Sequence, residues 1–162
     1  MAVDMFLKID GIPGESTDAK FQKEIVLESF SWGETNAAAH IGAGGAGAGK
    51  VSMQDFHFTA RVSAASPKLM LACATGQHIK DAVMNVRRAG EQKEGNAAFL
   101  TYSFQGVVIT SVQEAGDTSN IPLDSVSFAF QKIDVMYKPQ KADGSLDAGL
   151  HFKYDIKANK QF

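Results

Sequence analysis

The apolar residues of this chain recur at every second position, and in three places the alternation changes phase within a run. Ile25 and Leu27 stand at odd positions, whereas Phe30 and Trp32 stand at even ones. Val51 and Met53 are odd, but Phe56, Phe58 and Ala60 are even. Val126, Phe128 and Phe130 are even, and Ile133, Val135 and Tyr137 are odd again. Successive side chains of a strand point to opposite faces, so a slip of one position would carry the whole apolar set to the wrong side. Each run therefore needs a β-bulge or a sharp coil, the first near Glu28-Ser29, the second at Gln54-Asp55, the third after Phe130. Strands that bend in mid-course are what a sheet uses to turn corners as it closes on itself. The chain reads as mainly β, a closed or strongly coiled antiparallel barrel.

The remaining segments fit that frame. Val3 to Ile9 is a first strand, ended by Asp10-Gly11 and Pro13-Gly14. One helix is expected over about residues 67–75, with Ser66 as N-cap, Pro67 at the first helical position and Gly76 closing the C-terminus in the left-handed conformation. Alternation resumes at Ala82, Met84 and Val86, with Asp81, Asn85 and Arg87 opposite. Gly90 to Asn96 is a polar turn, and Ala98 to Val112 a strand in which Gly106 suggests another bulge. Gly116 to Asn120 is a polar loop, the stretch after Tyr137 an exposed connection, and Leu150 to Ile156 a last strand. No internal repeat or linker interrupts the 162 residues, a length that suits one domain spanning 1–162.

Asn36 to Gly49 resists this treatment. Eleven of its fourteen residues are Gly or Ala, so it offers no side chain to a core and is costly to order. It imitates two phosphate-binding motifs: Gly42 to Gly47 fits G-x-G-x-x-G, and Gly44 to Lys50 fits G-x-x-x-x-G-K. A working P-loop places Ser or Thr after the lysine to hold Mg²⁺ and opens a helix whose N-terminus binds phosphate. Here Val51 follows, in a stretch that alternates like a strand, and no βαβ pattern surrounds either match. The segment is instead a long hairpin-type connection, of the kind a compact domain keeps for a function.

Composition narrows the partners. The formal net charge of −2, with both signs well mixed, lacks the basic footprint of a nucleic-acid binder. Cys73 is the only cysteine, so no intramolecular disulfide can form, and its apolar helical neighbours mark it as a core residue more than a nucleophile. The N-terminus has no Sec-type signal pattern, and no apolar run approaches the roughly 20 residues of a membrane helix. A protein made soluble in the cytoplasm, with no membrane insertion, is expected. His40, His57, His78 and His151 are scattered without carboxylates at ligand spacing, and Asp55 and Glu24 have no paired context. Phe30, Trp32, Phe56, Phe58, Phe104, Phe128 and Phe130 lie at strand spacing, as core residues do. The residues suggest no enzyme, no metal site and no cofactor.

Several motifs occur in register along essentially the whole chain: MAVDMFLKIDGIPGES at the start, Ser31-Trp32-Gly33, the glycine-rich loop ending at Lys50, VSMQDFHFT, SPKLMLACATGQH and YKPQKADGS. In these the chain resembles the haemolysin-coregulated protein (Hcp) family of the bacterial type VI secretion system. The resemblance implies a β-barrel with one flanking helix that assembles as a homo-hexameric ring. It further implies that rings stack into a tube inside a contractile sheath, with spike and baseplate proteins as further partners. The tube is propelled out of the cell, and the ring lumen carries and stabilises small effector proteins. By family position, Ala38, Ala39, His40, Ile41, Gly42, Ala43, Gly44, Gly45, Ala46, Gly47, Ala48 and Gly49 are expected in the ring-stacking surface, and Ser31 in the lumen against effectors. Two readings compete: a monomeric barrel that binds a small ligand or nucleotide, and a phage tail-tube protein.

Overall fold

The computed structural model describes residues 2–36, 51–89 and 97–162. In chain order its elements are β1 (Val3–Ile9), β2 (Ile25–Ser31), β3 (Glu34–Asn36), β4 (Val51–Met53), β5 (Phe56–Arg61), α1 (Ala65–Thr75), β6 (Ile79–Arg88), β7 (Leu100–Ala115), β8 (Leu123–Ala129), β9 (Lys132–Tyr137), β10 (Leu150–Asp155) and β11 (Lys160–Gln161). Six of the strands close a ring of hydrogen bonds in the order β7-β6-β1-β2-β5-β8 and back to β7, every pairing antiparallel. The barrel that the phase changes called for is therefore present. β9, β10 and β11 continue the sheet outward from β7, and β3 and β4 pair separately as a hairpin stem.

The three phase changes have two physical origins. In β2 the change is a true bulge: the register with β5 shifts between Leu27 and Ser29, so Ile25 and Leu27 face the core before Glu28, and Phe30 turns inward after it. At Gln54-Asp55 the run is broken into two strands, because β4 pairs with β3 while β5 pairs with β2 and β8. The change after Phe130 is again a break, where β8 in the barrel gives way to β9 in the extension. At these two points one strand ends and another begins, which costs only the local ladder bonds.

β7 runs unbroken past Gly106, and its register shift falls at Ile109/Ser111 instead of at the glycine. Gly106 has a different task. It adopts φ +65°, with the Gln131 side chain 2.8 Å from where a Cβ would lie. It marks the point where β7 changes partner, from β9 over residues 100–105 to β8 over residues 108–115. The strand expected to be the last, β10, is followed by a short return, β11, which pairs with it at Tyr154 and Asp155.

The barrel interior is aromatic. Phe104 contacts Phe56 at 4.9 Å, Phe128 at 5.0 Å and Phe130 at 4.8 Å between ring centroids, and it meets Phe128 edge-on at 86°. Tilted and edge-to-face pairs of this kind add to the gain from burial alone. Met84, Leu7, Val126 and Ile133 are also fully enclosed.

α1 begins at Ala65, two residues before the expected start, and Ser66 is not its N-cap. Ser66 is buried, and its hydroxyl is committed to Asp124 of β8. The helix start is held by a reciprocal pair instead: Ser63 Oγ accepts the Ala65 N–H, and Ser66 Oγ accepts the Ser63 N–H at 3.0 Å. Gly76 ends the helix in the left-handed conformation, at φ 63°. Arg87 lies opposite the core-facing Ala82, Met84 and Val86, as the alternation expects, but it does not face solvent. It is buried beneath the segment of residues 12–24 that crosses the outside of the barrel, against the stacked rings of Phe6 and Phe21.

Candidate functional site

Ser31 ends β2 with its side chain exposed, next to an inward-facing Phe30 that stacks on Phe56. Because the bulge lies before it, the outward set in this half of β2 is Ser29 and Ser31. The register carries that set across three more strands. Ser31 lies opposite His57 of β5, which lies opposite Ser127 of β8, which lies opposite Ser111 of β7. One step along, Ser29, Thr59, Ser125 and Gln113 form a parallel row. His57 Nδ1 lies 2.9 Å from Ser127 Oγ, and the hydroxyls of Ser29 and Thr59 are 2.6 Å apart. The result is a two-row field of hydroxyl, amide and imidazole groups on the outer wall of β2-β5-β8-β7. Its charged groups sit at the ends: Glu28 with Arg61 at 3.0 Å, and Asp55 accepting from Thr110 at 2.7 Å.

Such a surface donates and accepts hydrogen bonds with little preference for either sign of charge. The Ser127–His57 contact does not make a nucleophile, because among the described residues no carboxylate reaches His57 to orient and charge it. Elsewhere, His151 Nδ1 meets Asp134 at 2.8 Å, and His78 is exposed beyond α1. Among the described residues no three potential ligands gather as a metal site. Cys73 is half-buried and packs on the core from α1.

Lys50 and the stretch Ala38 to Gly49, including His40, lie outside the described residues. What flanks them is clear. Asn36 and Val51 are register partners in the β3–β4 stem, and Val51 opens a strand where a P-loop would open a helix. The neighbours of Ser31 were not singled out from the sequence, although a signal existed: His57 and Thr59 alternate with Phe56 and Phe58, just as Ser125 and Ser127 alternate with Val126 and Phe128. Only the bulge in β2 brings Ser31 into phase with them.

Comparison with known proteins gives this geometry its context. The family model described as "Type VI secretion system effector, Hcp" matches residues 6–137. The chain belongs to the Hcp family. It is 37% identical to Protein hcp1 of Pseudomonas aeruginosa over 99% of both chains. Among solved structures, a type six secretion system protein superposes with a TM-score of 0.90 at 29% identity, covering 99% of this chain and 100% of that one. Hcp1 of Salmonella typhimurium superposes with a TM-score of 0.79 at 31% identity, with both chains covered in full. The Hcp likeness thus spans the barrel, the β9–β11 extension and α1 together.

Proposed function

We propose that this Hcp protein is the tube subunit of a type VI secretion system, with Ser31 and its cross-strand neighbours facing the lumen of a hexameric ring. Rings stack into a tube through the Ala38 to Gly49 loop, a contractile sheath expels the tube, and the lumen carries and stabilises effector proteins. The chain is cytoplasmic until firing and then reaches the extracellular space or a target cell without a signal peptide. Spike, sheath and baseplate proteins are its other partners, and its part is structural, not catalytic.

The observation that supports this most strongly is the Hcp likeness over the full length of both chains in sequence and in fold. The Ser31 field adds a physical reason. Cargo that has to be carried and then released is suited by many weak, charge-neutral hydrogen bonds, each contributing roughly 0.5–1.5 kcal/mol. Stacking one face of a ring on the opposite face of the next is a heterologous contact and propagates as a filament.

Size-exclusion chromatography with light scattering tests the reading. A species of about six times the chain mass is expected, and a stable monomer at micromolar concentration overturns the ring.

A further inference from the structure

Beneath α1 lies a buried acid to which the tube reading gives no role. Asp124, near the start of β8, faces inward with Val126 and Phe128 and is 2% exposed. A carboxylate at that depth is costly unless its oxygens are filled. One is filled: the Ser63 N–H donates to Ser66 Oγ, and the Ser66 hydroxyl donates to Asp124 Oδ2. The other, Oδ1, meets no donor among the described residues. Directly across the strand pair stands Glu114 of β7, on the same face as Asp124, and side chains of such cross-strand partners, about 5 Å apart at Cβ, can meet. Two carboxylates in contact repel each other, whereas one carboxylic acid against one carboxylate makes a short, strong hydrogen bond. A proton on Glu114 turns an acceptor into the donor that Oδ1 lacks.

We propose that Glu114 and Asp124 hold one proton between them, Glu114 donating to Asp124 Oδ1, and that this proton fastens α1 to the barrel through Ser66. The network then runs from the Ser63 N–H through Ser66 and Asp124 to Glu114 at the solvent edge, with its buried oxygens satisfied. The charged groups on the surrounding elements are engaged elsewhere or point into solvent. Arg61 of β5 binds Glu28, Glu15 accepts from the Ala64 N–H, Asp117 is held by Ser119 and Asn120, and Lys68 of α1 is exposed. Among the described residues no cation pairs with Asp124 or Glu114. In keeping with this arrangement, the bond to Asp124 and burial push the Glu114 carboxyl above its ordinary value of 4.5. Loss of the proton sets two like charges side by side and orphans Oδ1. The helix is therefore held more firmly in acid and less firmly as pH rises through the raised value.

The test uses the full chain and two readouts. Side-chain carboxyl NMR should show Glu114 titrating above the ordinary glutamate value of 4.5. The backbone amide shifts of Ser63 and Ser66 should follow with the same midpoint. In denaturant unfolding, Glu114→Gln keeps a donor at every pH. It should match the wild type at about pH 4 and become progressively the more stable of the two toward about pH 8. A Glu114 titration at the ordinary value, or a stability difference that does not change with pH, overturns the shared proton. If Glu114→Gln fails to fold, the wild-type titration decides alone.

Discussion

Arg87 of β6 grips Asp18 with two guanidinium nitrogens, joining positions 69 apart in the chain. Both side chains are nearly enclosed, at 9% and 12% exposure. The pair fastens the segment of residues 12–24 across the outside of β1, where Phe21 of the segment stacks on Phe6 at 4.6 Å and the guanidinium lies over both rings. Near its start, Gly14 passes so close to β2 that a Cβ there would lie 2.6 Å from the Glu24 carbonyl oxygen.

Removing one partner of so enclosed a pair leaves the other desolvated and uncompensated. Arg87→Leu should cost about 3 kcal/mol of stability. Adding Asp18→Asn to it should restore part of that loss, since no charge is then stranded. Urea unfolding of the two single variants and the double variant gives the coupling directly.

The same segment makes stability depend on pH in two opposite senses. Hydrogen bonds from Arg87 hold the Asp18 carboxyl below its ordinary 3.8, so its contribution is present above the unfolded value and is lost as pH falls through the folded one. Burial pushes Glu24 above its ordinary 4.5, so its contribution is present in acid and is lost as pH rises through the folded value. Asp18→Asn should flatten the acid limb of the stability profile and Glu24→Gln the limb above it, as read from urea midpoints across the acid range.

Two glycines should be intolerant of alanine for different reasons. At Gly106 the left-handed backbone, φ +65°, costs an L-residue about 1–2 kcal/mol, and the Gln131 side chain can swing aside. At Gly14 the obstacle is backbone, the Glu24 carbonyl and Ile25 Cα, which cannot move without lifting the segment from β2. Gly14→Ala should cost about 1–3 kcal/mol and expose residues 12–24 to protease, whereas Gly106→Ala should lower the unfolding midpoint without new cleavage there.

The barrel was legible because apolar alternation records which face each residue takes, and phase slips record where the face changes. Glu28 shows the strength of that signal, and Gln54-Asp55 its limit: a slip looks the same whether a strand bulges or ends and another begins. What decides is the partner strand, and β3, the partner of β4, is three exposed residues with no apolar pattern. Ser66 followed by Pro67 reads as a helix start on local grounds, but the acid that claims its hydroxyl lies 58 positions away. Arg87 and Asp18 were hidden for the same reason. Around Ser31, each small polar residue is unremarkable alone, and only cross-strand register assembles His57, Ser127 and Ser111 into one wall.

The proposed ring-stacking and lumen roles would separate by substitution. Asn36 and Val51 already face each other in the β3–β4 stem, so a two-residue Asn-Gly turn can replace residues 37–50 without disturbing it. That variant should form rings of wild-type mass and no tubes, as judged by light scattering and negative-stain electron microscopy; tubes at wild-type concentration would remove the loop from the stacking surface. Ser31→Gln lengthens one exposed side chain on the outer wall, beside His57, and touches neither the stem nor the aromatic core. On the proposed ring, its rings should be intact and its tubes normal, with effector co-purification reduced severalfold because six enlarged side chains would crowd one lumen. Unchanged effector recovery from intact Ser31→Gln rings would place the cargo contact on another face of the barrel.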